Sequence, residues 1–189
     1  MTATKITPGL ITTLVGATGL PAASGWEFVS LTTASSSATV VVSFDAGYDY
    51  LTTITDLAPA SDGQTFCAEV AVSGPTYRTS DYKSNASVIS HAGVSASTYS
   101  YARYNLTHDS MGNSTDEQGC MDVTIYDPRG ATDTFLIHNG FYQTSGNVPY
   151  ASFGGGMHLT AESMTDMKFY FASGNIATGF FKLYRRLNA

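Results

Sequence analysis

A chain of 189 residues with 43% hydrophobic and only 13% charged positions has enough material for one substantial core and points to a single domain. Its net charge of −6 repels phosphate backbones and anionic headgroups, which argues against nucleic acid and membrane surfaces as partners, and no apolar run approaches the roughly 20 residues that span a bilayer. A surface this poor in charge must be built from Ser, Thr, Asn, Gly and Tyr, and such a surface desolvates cheaply, which suits permanent protein contacts.

The first stretch, residues 1–22, is set apart as an N-terminal arm. Ile6, Leu10, Ile11, Leu14 and Val15 stand among Thr, Gly and Pro ahead of the first clear strand pattern at Trp26. That is too apolar for a solvated tail and too irregular for a strand pattern, which leaves two readings: an arm that docks on a neighbouring subunit or a scaffold, or an extra strand folded back on its own sandwich. With a single Lys and no strongly apolar segment, this stretch is not expected to be a secretory signal.

Residues 23–189 carry the domain. Period-2 alternation of β-branched and aromatic residues recurs over 26–33, 38–44, 48–57, 64–73, 97–107, 119–127, 133–143, 166–172 and 178–185. In 119–127 the pattern sends Met121, Val123 and Ile125 inward. In 166–172 it sends Met167, Phe169 and Phe171 inward, with Asp166, Lys168 and Tyr170 outward. Turn signals separate the runs: Pro59 to Gly63, Ser73-Gly74-Pro75, Asp127-Pro128-Arg129-Gly130, Ser145-Gly146-Asn147 and Ser173-Gly174-Asn175. The triple glycine 154–156 reads as a flexible hairpin loop. Helix is expected only as short turns, near Pro8 to Leu14 and near Ala161 to Asp166 with Thr160 as N-cap. Strands with such punctuation and no helical period between them predict an all-β fold, an antiparallel jelly-roll-like β-sandwich behind an N-terminal arm.

Chemistry is sparse. There is no G-x-S-x-G elbow, and the triple glycine lacks the Lys-Ser/Thr of a phosphate loop. His91, His108, His138 and His158 show no metal-ligand spacing, and His138 reads as an ordinary strand histidine. The loop from His108 to Glu117 offers Asp109, Asn113, Asp116 and Glu117 as oxygen donors, but without an EF-hand spacing it reads as a solvated loop. No catalytic residue, metal or cofactor is therefore assigned, and the chain is not expected to be an enzyme. Cys67 and Cys120 are too few for a disulfide framework. Alternation puts each on the outer face beside an acidic residue two places on, so they form either one bridge between neighbouring strands or two separate thiols. Tyr48, Tyr50, Tyr77, Tyr82, Tyr99, Tyr101 and Tyr104 are concentrated in one part of the chain, suited either to a contact surface or simply to sheet. Lys182, Arg185 and Arg186 read as an exposed strand end.

Three segments carry a resemblance. Tyr48-Asp49-Tyr50 through Leu57-Ala58-Pro59-Ala60-Ser61-Asp62-Gly63 is the first, Val123-Thr124-Ile125-Tyr126-Asp127-Pro128 the second. The third and most distinctive is Ser173-Gly174-Asn175-Ile176-Ala177-Thr178-Gly179-Phe180-Phe181-Lys182-Leu183-Tyr184. In this order and spacing they resemble the small jelly-roll-like virion structural proteins of tailed, often marine, bacteriophages, over most of the chain after about residue 38. The chain departs from that pattern in ending Arg185-Arg186-Leu187-Asn188-Ala189. The resemblance implies a non-enzymatic virion component, assembled in the bacterial host cytoplasm, and carries over no catalytic residue. Its expected partners are further copies of itself, as a trimer or dimer, and a phage major capsid protein or tail protein. A compact domain with a short apolar arm and no fibrous shaft favours a capsid decoration or cement protein. The alternative is a tail-fibre or tail-tip module that binds a receptor glycan.

Overall fold

The computed structural model describes residues 25–188 except 75, 91, 92, 101 and 109, and for 95–99 the backbone alone. The arm, with Ile6, Leu10, Ile11, Leu14 and Val15, lies outside the described residues, as does Asp109.

Among the described residues twelve strands follow one another: β1 (Glu27–Ser37), β2 (Val40–Ser43), β3 (Tyr48–Pro59), β4 (Phe66–Ala71), β5 (Tyr82–Ser90), β6 (Gly93–Ser100), β7 (Tyr104–Asn105), β8 (Gly119–Tyr126), β9 (Thr134–Gln143), β10 (Pro149–His158), β11 (Asp166–Phe171) and β12 (Ile176–Leu187). They form two sheets, an eight-stranded one in the order β1-β12-β3-β8-β9-β10-β5-β6 and a four-stranded one in the order β2-β11-β4-β7. The strand pairs that build both sheets are antiparallel. The chain is an all-β antiparallel sandwich, as its punctuation predicts. It crosses repeatedly between the sheets, so most of its pairings are long-range. Among the described residues there is no helix, and the segment from Thr160 to Thr165 is irregular.

The alternation in β8 and β11 holds: Met121, Val123, Ile125, Met167, Phe169 and Phe171 are all buried. Where the sheets face each other, four phenylalanines lock them. Phe181 of β12 lies 5.7 Å from Phe169 of β11 and 6.4 Å from Phe66 of β4, ring centre to ring centre, and Phe171 lies 5.2 Å from Phe66. Tilted aromatic contacts of this kind add about 0.5–1.5 kcal/mol each beyond the burial itself.

Two strands were not legible as strands. β5 offers only Ser84 and Ala86 between its inward Tyr82 and Val88. β10 runs straight through the triple glycine, so the hairpin reading of 154–156 is corrected: these residues are mid-strand, paired with β5 on one side and β9 on the other. Close approach of backbones explains the glycines. A Cβ on Gly154 would stand 2.2 Å from the Asn85 carbonyl oxygen and 2.8 Å from the His138 ring, and one on Gly156 would stand 2.9 Å from the Tyr104 ring.

Candidate functional site

The residue types that most often carry chemistry are taken up by structure. Glu117 is buried, and its carboxylate accepts the Ser114 N–H at 2.8 Å, closing the acidic loop on itself. Asn113 donates to the Ala60 carbonyl at 3.4 Å, and Asp116 is exposed. Among the described residues no group of His, Cys, Asp and Glu is gathered as metal ligands would be. Arg185 reaches Glu27 and Asp45 and covers the Tyr48 ring, while Arg186 pairs with Asp49 and covers Trp26, so both cations at the end of β12 are neutralised in place.

The tyrosines divide. Tyr50, Tyr82 and Tyr104 are core residues whose hydroxyls serve backbone groups. Tyr50 accepts the Asp45 N–H at 2.6 Å, and Tyr82 accepts the Val70 N–H at 3.0 Å and donates to the Arg78 carbonyl. Tyr104 donates to the Thr134 carbonyl at 3.2 Å. Burial raises the Tyr82 and Tyr104 phenols above their usual range, so both remain protonated donors.

The two cysteines do not meet. Both face outward from their sheets, as alternation requires, but β4 and β8 belong to different sheets, and the bridge between them is not formed. Cys120 is exposed. Cys67 is buried under a polar cluster on the outer side of the small sheet, and burial pushes its thiol up to about 12. In that cluster Glu69 takes the Tyr170 hydroxyl as a donor on one oxygen, while the other meets the Lys168 ammonium at 2.9 Å as an ion pair. Lys168 also lies 4.4 Å from the centre of the Tyr77 ring, and Arg103 donates to Asn105 at 3.2 Å. These contacts make the cluster a polar staple across β4, β7 and β11.

The surface that does not satisfy itself is the outer face of the large sheet. On β9 the outward residues are Phe135, Ile137, Asn139 and Phe141, whereas the inward ones are Thr134, Leu136, His138, Gly140 and Tyr142. Phe135, Ile137 and Phe141 are 46–49% exposed, while Thr134 and His138 are buried. On β10 the same inversion places Phe153 outward and Ser152 and His158 inward. Ile89 of β5 and Val94 of β6 extend the apolar surface toward the sheet edge. The strand register aligns these residues in rows: Cys120, Phe141, Ala151 and Ile89 form one, Asp122, Asn139, Phe153 and Ser87 the next. Thr124, Ile137, Gly155 and Asn85 form the third, and Tyr126, Phe135, Met157 and Lys83 the fourth. A shallow depression of about 270 Å³, bordered by Thr53, Cys120, Asp122 and Asn139, lies beside them. Monomeric proteins rarely show a contiguous apolar patch beyond a few hundred Å², and larger ones mark contact sites. The period-2 run of Phe135, Ile137 and Phe141 was visible in the sequence; assigning faces by hydrophobicity would have put it in the core.

Scans of protein-family models, of curated proteins and of solved structures return no match to this chain.

Proposed function

We propose that the chain is a non-enzymatic structural component of a tailed-phage particle, a capsid decoration or cement protein seated on the particle exterior. The observation that carries this reading is the inverted alternation of β9 and β10, which turns phenylalanines toward solvent and buries histidine, serine and threonine. Aromatic side chains held on a rigid sheet supply contact area at low entropic cost and gain most when another protein covers them. The low charge content, the acidic balance that suits the outside of a DNA-filled shell, and the three segments that resemble phage virion proteins point the same way.

Particles lacking the protein test it. Decoration predicts normal adsorption to cells together with faster loss of DNA on heating or in low salt, and density for this chain on the capsid surface in a reconstruction of the complete particle. Normal heat resistance combined with failed adsorption would replace this reading with receptor binding at the tail.

A further inference from the structure

The rows across β8, β9, β10 and β5 have a second property: they complement themselves. In three of the four rows large and small residues stand in matching places on β9 and β10, and the fourth sets Phe135 beside Met157. Phe141 pairs in register with Ala151, Ile137 with Gly155, and Phe153 with Asn139. A two-fold axis parallel to the strands, passing between β9 and β10, would lay β9 of one copy over β10 of the other and β8 over β5. In that stack Phe141 covers Ala151 of the second copy, Ile137 covers Gly155, and Phe153 covers Asn139, each contact occurring twice as isologous symmetry requires.

We infer that this face is the interface of a two-fold dimer of the chain, formed by stacking the outer faces of two large sheets. The inference rests on the reading above that the face is covered in the assembled state, and it names a second copy as what covers it. Charge fits the arrangement. Within β8 the outward charge is Asp122, within β5 it is Lys83, and β9 and β10 present none. The two-fold stack sets Asp122 over Ser87 and Lys83 over Tyr126, so no like charges meet, whereas a stack placing β8 on β8 would bring the two Asp122 carboxylates together. Size fits a modest affinity. Four strands about 4.8 Å apart and four rows about 6.8 Å apart cover about 500 Å² of flat sheet per copy. Two such faces bury on the order of 1,000 Å², the lower limit for a specific interface.

Sedimentation velocity of the intact chain from about 2 to 200 µM tests this, with thiol labelling at both ends of the range. Cys120 is exposed and stands in the row of Phe141, whereas Cys67 is buried, so labelling reports the interface alone. The expected result is a dimer that dissociates on dilution, with Cys120 labelled several-fold more slowly at the higher concentration. Phe141→Asp and Phe153→Asp each place a carboxylate at two symmetric positions of the interface and should weaken association at least 100-fold. Their side chains are already half exposed, so the melting transition should be retained. Val41→Asp, on the exposed side of the small sheet, is the control and should dimerise normally. A chain that stays monomeric at 200 µM with unchanged Cys120 labelling overturns the proposal. So does a dimer that survives both phenylalanine substitutions, or one that Val41→Asp abolishes. None of these outcomes bears on where the protein sits on a particle, so the two readings fail separately.

Discussion

Acid should weaken this protein through a buried core histidine, and His138 makes the effect measurable. Its ring is buried on the inner face of β9, neither ring nitrogen has a hydrogen-bond partner, and burial lowers its pKa from 6.5 to about 4. The sign follows from proton uptake. Above pH 6.5 the imidazole is neutral in both states and contributes no pH dependence. Between pH 6.5 and about 4 the unfolded chain takes up a proton that the folded chain refuses, so stability falls as pH falls. Below about pH 4 the loss is complete, and the difference between the two values corresponds to roughly 3 kcal/mol. Carboxylates titrate over part of the same range, so the comparison must be differential. His138→Leu keeps similar volume, removes the titration and leaves the carboxylates alone. Urea unfolding at about 1 µM, below the association range, should show the variant at least as stable as the parent at pH 7. By pH 4 its advantage should have grown by roughly 3 kcal/mol, or about 1–2 M in midpoint at an ordinary urea slope. If both chains lose the same stability between pH 7 and pH 4, the imidazole is hydrated or paired in solution and the reasoning fails.

Gly154→Ala should destabilise by about 1–3 kcal/mol in the same assay, because the methyl would press on the Asn85 carbonyl and the His138 ring; a neutral result would mean that β5 and β10 can separate at no cost. Glu69→Ala leaves the Lys168 ammonium and the Tyr170 hydroxyl without their partner inside the polar staple and should cost about 2–4 kcal/mol, with Glu69→Gln costing less because it keeps an acceptor for Tyr170. Phe181→Ala removes the ring that joins the two sheets and should cost about 3–5 kcal/mol. A chelator should leave the melting temperature within about 2 °C, since Glu117 is committed to the Ser114 N–H; a fall of about 10 °C reversed by calcium would show an ion in the acidic loop.

The sandwich was legible wherever core packing dictates alternation. β8 and β11 alternate strictly because their inward residues meet the opposite sheet, and the turns around Asp127 and Gly174 adopt positive φ as their residue types suggest. Legibility failed where strands approach one another too closely for side chains. Ser84 and Ala86 of β5 stand opposite Gly156 and Gly154 of β10, and these small residues make room for the Tyr104 and His138 rings. Small residues carry little periodic signal, so one strand was missed and the other was read as a loop. The polar cluster over Cys67 was hidden for a different reason. Glu69, Lys168 and Arg103 are far apart in sequence, and only the pairing of β4 with both β11 and β7 brings them together.

The contact face was hidden by an assumption about which side of a strand goes in. Hydrophobicity identifies the inner face when one face is wet, but β9 and β10 have an apolar side that faces out. The two halves of the large sheet differ accordingly. In β12, β3 and β8 the inner face includes Phe181, Leu183, Ile54, Met121, Val123 and Ile125, which share one core cluster with the phenylalanines of the small sheet. In β9, β10 and β5 the inner face mixes Tyr82, Val88, Leu136 and Tyr142 with Thr134, His138, Ser152, His158 and Ser84, of which Ser84 and Ser152 donate to the backbone carbonyls of Arg103 and Leu106. Burial of apolar surface contributes about 25 cal/mol per Å², so the first half has most of its stabilisation already in the isolated chain. The second half also turns Phe135, Ile137, Phe141, Phe153 and Ile89 toward water. Covering that face therefore adds stability where the chain alone has least, and opening of the sheet from its β6 edge should become rarer as copies associate. Amide exchange in β9, β10 and β5 should slow with protein concentration while exchange in β12, β3 and β8 does not change. Uniform slowing throughout would mean that association stabilises the sandwich as one unit, and the division of the sheet into two halves would be wrong.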